Sequence, residues 1–359
     1  MDIRKRFRDT VTAIPADASL AILHDTDADG ICSAVIVAKA LRKLGHNVLF
    51  LHDTKNRASL GKKTYGIISK KKISYLFTTD KAMDSNPAII QQLEKLCTLI
   101  VFDHHHLEND ITSDKTLLIK PQLFSKIPPS QYPTSKLVYD FFAELVDVTE
   151  WDWLSAAGVI SDASYRTWRD FIDAVHRRHK VATPDPIFSS ELAKVGQYIT
   201  TATLYDEKMI GKIVAIVDTA NEYKDILHLL RVYVEPVREE INKWIASFTS
   251  RTEHYADAAL YWYEIESRFP VSSIVSTRLS MEDSHATYIV AERRGKVLAL
   301  SLRRQDGAVN CINLVKAGIL GIKNATGGGH IPAAGGQAPY SKKEEIKKKM
   351  LSYLRLKAS

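Results

Sequence analysis

Four short apolar runs, each ending in an acidic or imidazole residue, constrain this chain more than any other feature. Leu20 to His24 (LAILH) breaks into DTDADG at 25–30, and Tyr75 to Thr79 (YLFTT) ends at Asp80. Leu99 to Phe102 (LIVF) ends at Asp103, His104, His105 and His106, and Val48 to His52 is a further run of the same kind. Apolar residues at helical spacing occupy Ile31 to Leu44 and stop at Gly45, and Pro87 to Leu96 reads as a helix between two strands. Strands alternating with helices predict a parallel sheet, whose ligands sit outside the carboxyl ends of the strands. Neighbouring strands lie about 4.8 Å apart, so the side chains at these ends should share one pocket.

Several carboxylates in one pocket repel one another unless cations neutralise them. Carboxylate with imidazole is a mixed hard and borderline donor set, which suits Mn²⁺ first, with Mg²⁺ or Zn²⁺ as further choices. Two such ions about 3.5–4 Å apart would clamp a phosphate and activate a water, so the chemistry suggested is phosphoester hydrolysis. Taken alone, DTDADG is also a good turn or helix N-cap. It is not an EF-hand loop, because Ile36 stands where the twelfth-position Glu would be.

Further along, Thr116 to Ile119 adds a strand, and Thr134 to Val146 and Trp151 to Ile160 read as covering helices. Residues 189–248 are mostly helical and suggest a connector. Beyond them, Ala258 to Glu264, Thr287 to Glu292 and Val297 to Arg303 read as strands, the last two joined at RRGK. Asn310 to Ala317 reads as a helix, 327–336 as a glycine-rich loop, and SKKEEIKKKMLSYLRLK as an amphipathic basic helix. The expected domains are 1–188, 189–248 and 249–359: a metal-binding α/β domain with a parallel sheet, a helical connector, and a smaller α/β domain with a mixed sheet.

Composition narrows the classes. Lys plus Arg number 49 against 42 Asp plus Glu, giving +7, a moderate bias toward anionic partners. Cys32, Cys97 and Cys311 lie far apart with no CxxC pair, so a reducing, cytoplasmic setting is expected rather than a disulfide scaffold. The first twenty residues hold no apolar core long enough for a signal peptide, and no run of about 18 apolar residues occurs.

The motifs in their order resemble the DHH phosphoesterases, in particular the RecJ-like members with a DHH-associated C-terminal domain. HDTDADGICSA (24–34), TTD ending at Asp80, VFDHHH (101–106) and GVISDAS (158–164) resemble the four N-terminal motifs. SLRRQDGAVN followed by ATGGGHIPAAGG resembles the substrate-binding motif. The resemblance implies that Asp25 and Asp27 each hold one divalent ion, that Asp80 bridges two, and that His104 and Asp162 complete the second site. Asp103 would orient a histidine, His105 would contact the scissile phosphate or leaving oxygen, and Asp29 would support the metal loop. His106 exceeds the family tripeptide and reads as an exposed loop residue. Ala21 stands where some branches carry a first-site histidine.

In the second domain, Gly327, Gly328, Gly329 and His330, with Arg303, would capture a phosphate in a nest of N–H groups. Arg166, Arg169, HRRHK (176–180) and the basic C-terminus could extend a backbone track, and LYWYEIE (260–266) offers stacking rings or, by its alternation, core packing. The expected function is a Mn/Mg-dependent exonuclease releasing mononucleotides from single-stranded DNA or RNA, with a role in DNA repair. Its partners would be that strand and a replication or repair protein, with a dimer left open. The alternatives are a hydrolase of short oligoribonucleotides or of cyclic and linear dinucleotides, and a catalytically reduced nucleic-acid-binding scaffold.

Overall fold

The computed structural model describes residues 2–53 and 60–358 and divides into two units, 1–234 and 235–359. In the first, five strands form one sheet: β1 (Leu20–His24), β2 (Val48–His52), β3 (Tyr75–Thr79), β4 (Thr98–Phe102) and β5 (Thr116–Ile119). All neighbours are parallel, in the order β2-β1-β3-β4-β5. Helices cover both faces, which is why these runs are mostly apolar instead of alternating. On β1, Leu20 and Ile22 enter one core with the Ala28–Lys43, Thr134–Phe142 and Asp152–Ser161 helices. Ala21 and Leu23 enter the other with Ile68, Ile90 and Leu93.

The strand order reverses beside β1: the chain passes first to β2 on one side and then to β3 on the other. That switch leaves a crevice at the carboxyl ends of β1 and β3, where no crossover helix can cover both loops. The expected connector divides between the two units. The Glu191–Thr203, Ile210–Thr219 and Tyr223–Leu229 helices bury Leu192, Ile199, Ile213, Val217 and Ile226 in the first core. The boundary falls inside the Arg231–Ala246 helix.

The second unit holds six strands: β6 (Glu253–Tyr255), β7 (Leu260–Ile265), β8 (Thr287–Arg294), β9 (Val297–Arg303), β10 (Thr326–His330) and β11 (Ala333–Pro339). Their order is β10-β11-β9-β8-β7-β6. Only β7 and β8 pair in parallel among these neighbours, with the Ser272–Ser280 helix as the crossover such pairing needs. The Cys311–Ile319 and Lys343–Ala358 helices cover one face through Leu314, Val315, Ile346 and Met350.

The glycine-rich stretch expected as a loop forms the β10–β11 hairpin, with Gly328 opposite Gly335 and His330 opposite Ala333. Glycine carries no side chain to show period-two alternation, so the strand is silent in the sequence. It persists because β11 pairs with β9 along seven residues and Val315 lies against Gly327 and Gly336.

Candidate metal centre

The strand ends are held in step by main-chain bonds. Asp25 N–H donates to Thr79 O at 3.1 Å, Asp80 N–H to Phe102 O at 2.9 Å, and Asp103 N–H to Ile119 O at 3.2 Å. Each residue after a strand is thereby fixed to the end of the next. Asp80 adopts φ +60°, a left-handed conformation that a non-glycine residue rarely takes, and it does so at the centre of the site.

The loop after β1 is shorter than expected, because the next helix begins at Ala28 and not at Ile31. Asp27 is its N-cap, accepting from Gly30 N–H at 3.0 Å, and Asp29 lies in the first turn. This close turn requires glycine at 30, since a Cβ there would stand 2.8 Å from Asp25 O. Asp29 points away from the loop. Its Oδ2 accepts from Thr134 N–H at 2.7 Å and its Oδ1 from Ser135 N–H at 3.0 Å. Gly158 makes room, because a Cβ there would stand 2.6 Å from Asp29 Oδ1 and would collide with Ser135 Oγ.

Three sets of donors result, each with ligand atoms within 4.8 Å of one another: Asp25, Asp27 and Asp80; Asp29, His104 and Asp162; and Asp80, His104 and His105. His104 Nε2 lies 3.2 Å from Asp162 Oδ2 and 3.4 Å from Asp80 Oδ1. Asp25 and Asp27 thus fall in one set, while Asp29 joins His104 and Asp162. Asp80 and His104 belong to adjoining sets. His24 joins none among the described residues: it is fully buried, and its Nδ1 lies 2.6 Å from Asp25 O. Burial pulls its pKa down to about 4.

The protons report the same crowding. Burial first, and then the Asp29 charge, push Asp80 up to about 6. The same two causes hold Asp162 well above the ordinary carboxylate range, and burial raises Asp29. His104 rises to about 9 because Asp80, Asp162 and Asp29 outweigh the effect of its burial. These are carboxylates without enough positive charge among them, and hard oxygen donors joined by imidazole fit divalent cations that would supply it.

Asp103 stands behind this centre. It is fully buried, with Oδ1 2.6 Å from His105 Nδ1 and Oδ2 2.8 Å from Lys120 Nζ. Against burial, the His105 bond and charge and the Lys120 ammonium hold its carboxyl below the usual range. His106 is exposed, as expected for a loop residue. Lys120, Asp84, Gln122 and Thr134 were not singled out in the sequence. Thr134 Oγ1 donates to Asp80 Oδ1 at 3.2 Å. The available signal was Lys120 itself, a charged residue directly after the apolar run Leu117 to Ile119.

In the second unit, Arg303, Ala333 and His330 share one register row across β9, β11 and β10. The Arg303 guanidinium donates to Thr277 Oγ1 and to Ser273 Oγ, both at 3.0 Å, and burial lowers its pKa. The glycines of β10 present backbone as an edge strand and not as a curled nest.

Comparison with known proteins agrees with these two units. The model of the DHH family N-terminal domain matches residues 19–162, and that of the DHHA1 domain matches 259–356. No curated protein matches the sequence. Among solved structures, exonuclease RecJ bound to manganese superposes with TM-score 0.73 and 15% identity, covering 99% of this chain and 94% of that one. RecJ from Thermus thermophilus in complex with Mn²⁺ gives 0.72 and 14%, covering 98% of this chain, which spans only 54% of that longer one. CDC45 from Entamoeba histolytica gives 0.57 at 8% identity, covering 98% and 97%. The chain belongs to the DHH family, with an N-terminal DHH domain, a DHHA1 domain, a RecJ-like fold and the donor set of a metal-dependent phosphoesterase.

Proposed function

We propose that this protein is an exonuclease that hydrolyses single-stranded DNA or RNA from an end to mononucleotides, with two divalent ions, Mn²⁺ preferred. The observation that carries this is the adjoining pair of donor sets, Asp25, Asp27 and Asp80 beside Asp29, His104 and Asp162, at the strand-order switch. Fold similarity to exonuclease RecJ bound to manganese, and to RecJ with Mn²⁺ and with Mg²⁺, supports the exonuclease reading and a divalent ion.

In this reading the six residues hold the cations, which when bound polarise a phosphate and lower the pKa of water. The chain's own groups do the rest. Asp103 keeps one ring nitrogen of His105 engaged, so the other can hold or deliver a proton at the leaving oxygen. Thr134 Oγ1 fixes one Asp80 oxygen, which orients the carboxylate shared between neighbouring sets. Arg303 and His330 bind the nucleotide phosphate, with Ser273 and Thr277 holding the guanidinium in place.

The fold is also shared with CDC45, but every expected carboxylate and His104 is present here, which favours an active enzyme over a scaffold. The test is to titrate Mn²⁺ into chelated protein and follow strands of about 20 nucleotides and dinucleotides, each blocked at its 5′ or 3′ end. Long strands shortened from one end support the exonuclease, and turnover of dinucleotides alone replaces it with the short-substrate hydrolase. Full activity in Asp80→Ala and His104→Ala would exclude the metal centre.

A further inference from the structure

Lys120 is fully buried at the end of β5, a place no hydrophobic argument explains. Its Nζ lies 2.8 Å from Asp84 Oδ1 and 2.8 Å from Asp103 Oδ2. The same ammonium donates to His105 O at 3.2 Å and to His106 O at 3.1 Å. A buried ammonium is costly unless paired and hydrogen-bonded, and this one meets two carboxylates and two carbonyls.

Its partners come from two loops. Asp84 sits in the turn after β3, where its Oδ2 also accepts from Glu108 N–H at 2.8 Å. Asp103 and the two carbonyls belong to the loop after β4. Lys120 grips that loop at residue 103 and again at 105 and 106, on either side of His104. Gln122 Nε2 adds a second donor to His105 O at 2.9 Å. Lys120, joined by Gln122 at the His105 carbonyl, therefore holds the loop at positions that flank the His104 side chain.

We propose that Lys120 is the positioning residue of the three-histidine loop: held by Asp84, it fixes Asp103 and the His105 and His106 carbonyls, and so sets the directions of the His104 and His105 rings. This rests on the reading above that His104 belongs to a cation site. A lysine serving only as a buried ion pair would influence folding and leave cation affinity alone.

The experiment is calorimetric titration of Mn²⁺ alone into wild type and two variants, Lys120→Met with Asp84→Asn, and Lys120→Gln. The paired variant removes the ammonium and one of its carboxylates together, and the asparagine side chain retains an acceptor for Glu108 N–H. In whichever variant melts as wild type, Mn²⁺ affinity should fall about 10- to 100-fold, with shifted His104 and His105 ring resonances. A folded variant with wild-type affinity and unchanged resonances overturns the proposal. Because Mn²⁺ binding needs no substrate, failure to cut nucleic acid would count against the proposed function and leave this comparison intact.

Discussion

The Asp29 carboxylate caps a helix to which it does not belong: its Oδ2 accepts the Thr134 N–H at 2.7 Å. The Thr134–Phe142 helix follows Pro133 and has no side-chain cap of its own. Asp29 supplies one from the first turn of another helix while standing within 4.8 Å of His104 and Asp162 donors. Helix termini favour negative charge at their N-terminal end, so the helix compensates an anion that the neighbouring carboxylates oppose. Thr134 also bonds Asp80, which joins the two donor sets through one residue.

Asp29→Ala and Asp29→Asn should therefore diverge. Alanine removes the cap, at about 0.5–2 kcal/mol, and lowers the melting temperature of the metal-free protein. Asparagine keeps one acceptor for the Thr134 and Ser135 N–H groups and removes a charge that raises Asp80 and Asp162, so that variant should melt between the alanine variant and wild type at pH 8. Both should lose the stabilisation conferred by Mn²⁺. Thermal unfolding with chelator and with Mn²⁺ measures this, and an asparagine variant still stabilised by Mn²⁺ as wild type is would place Asp29 outside the cation site.

The pH dependence follows from two raised values. Asp80 titrates near 6 in the metal-free fold against about 3.9 unfolded, so its contribution is most favourable below pH 4 and is lost as pH rises through 6. His104 titrates near 9 against about 6.5 unfolded, so its contribution is present below 6.5 and is lost as pH rises through 9. Metal-free protein should lose stability from pH 4 upward. Cation binding at pH 7 must displace a proton from His104, and below pH 6 one from Asp80 as well. Calorimetry in buffers of different ionisation enthalpy should show proton release on Mn²⁺ binding at pH 7, and zero release would contradict the shared donors.

Much of this was legible in the residues. The strands of the first unit were readable because strands covered on both faces give mostly apolar runs, and the acids Asp25, Asp80 and Asp103 after β1, β3 and β4 mark the carboxyl edge. Three things were hidden. The helix after β1 begins at Ala28 because Asp27 and Gly30 form a cap, and a capping Asp looks the same as a ligating one in sequence. The β10–β11 hairpin is masked by glycines that carry no pattern. Lys120 acts through contacts to residues 14, 15, 17 and 36 positions away, which only the folded sheet brings together. The helices after 189 were visible, but which core they would enter was not.

Arg303→Ala and His330→Ala should act on substrate and not on cations. Both residues lie in the second unit, on one row of its sheet, and Arg303 is half-buried with its fork aligned by Ser273 and Thr277. Losing a charge-assisted phosphate contact costs about 1.5–3 kcal/mol, or roughly 10- to 100-fold in KM for oligonucleotides. Mn²⁺ affinity should be unchanged in calorimetry. Loss of Mn²⁺ binding in either variant would show that phosphate capture and cation binding are not divided between the units.

Arg166 should set how binding responds to salt. It lines a cavity of about 410 Å³ with Arg169, Trp168, Phe171 and Lys136, four residues after Asp162. Lys136 is committed to Asp140, and its ammonium sits 4.2 Å from the centre of the Trp168 ring. Arg169 is committed to Asp173. Among the described residues Arg166 pairs with no carboxylate, so its charge is available to a phosphate backbone passing the cavity. Releasing one such contact reduces the slope of log affinity against log salt by about 0.7 for a single strand. Arg166→Ala should show that smaller slope on strands of about 20 nucleotides. An unaltered slope would make Arg166 a solvated surface charge and leave the cavity outside the path of the strand.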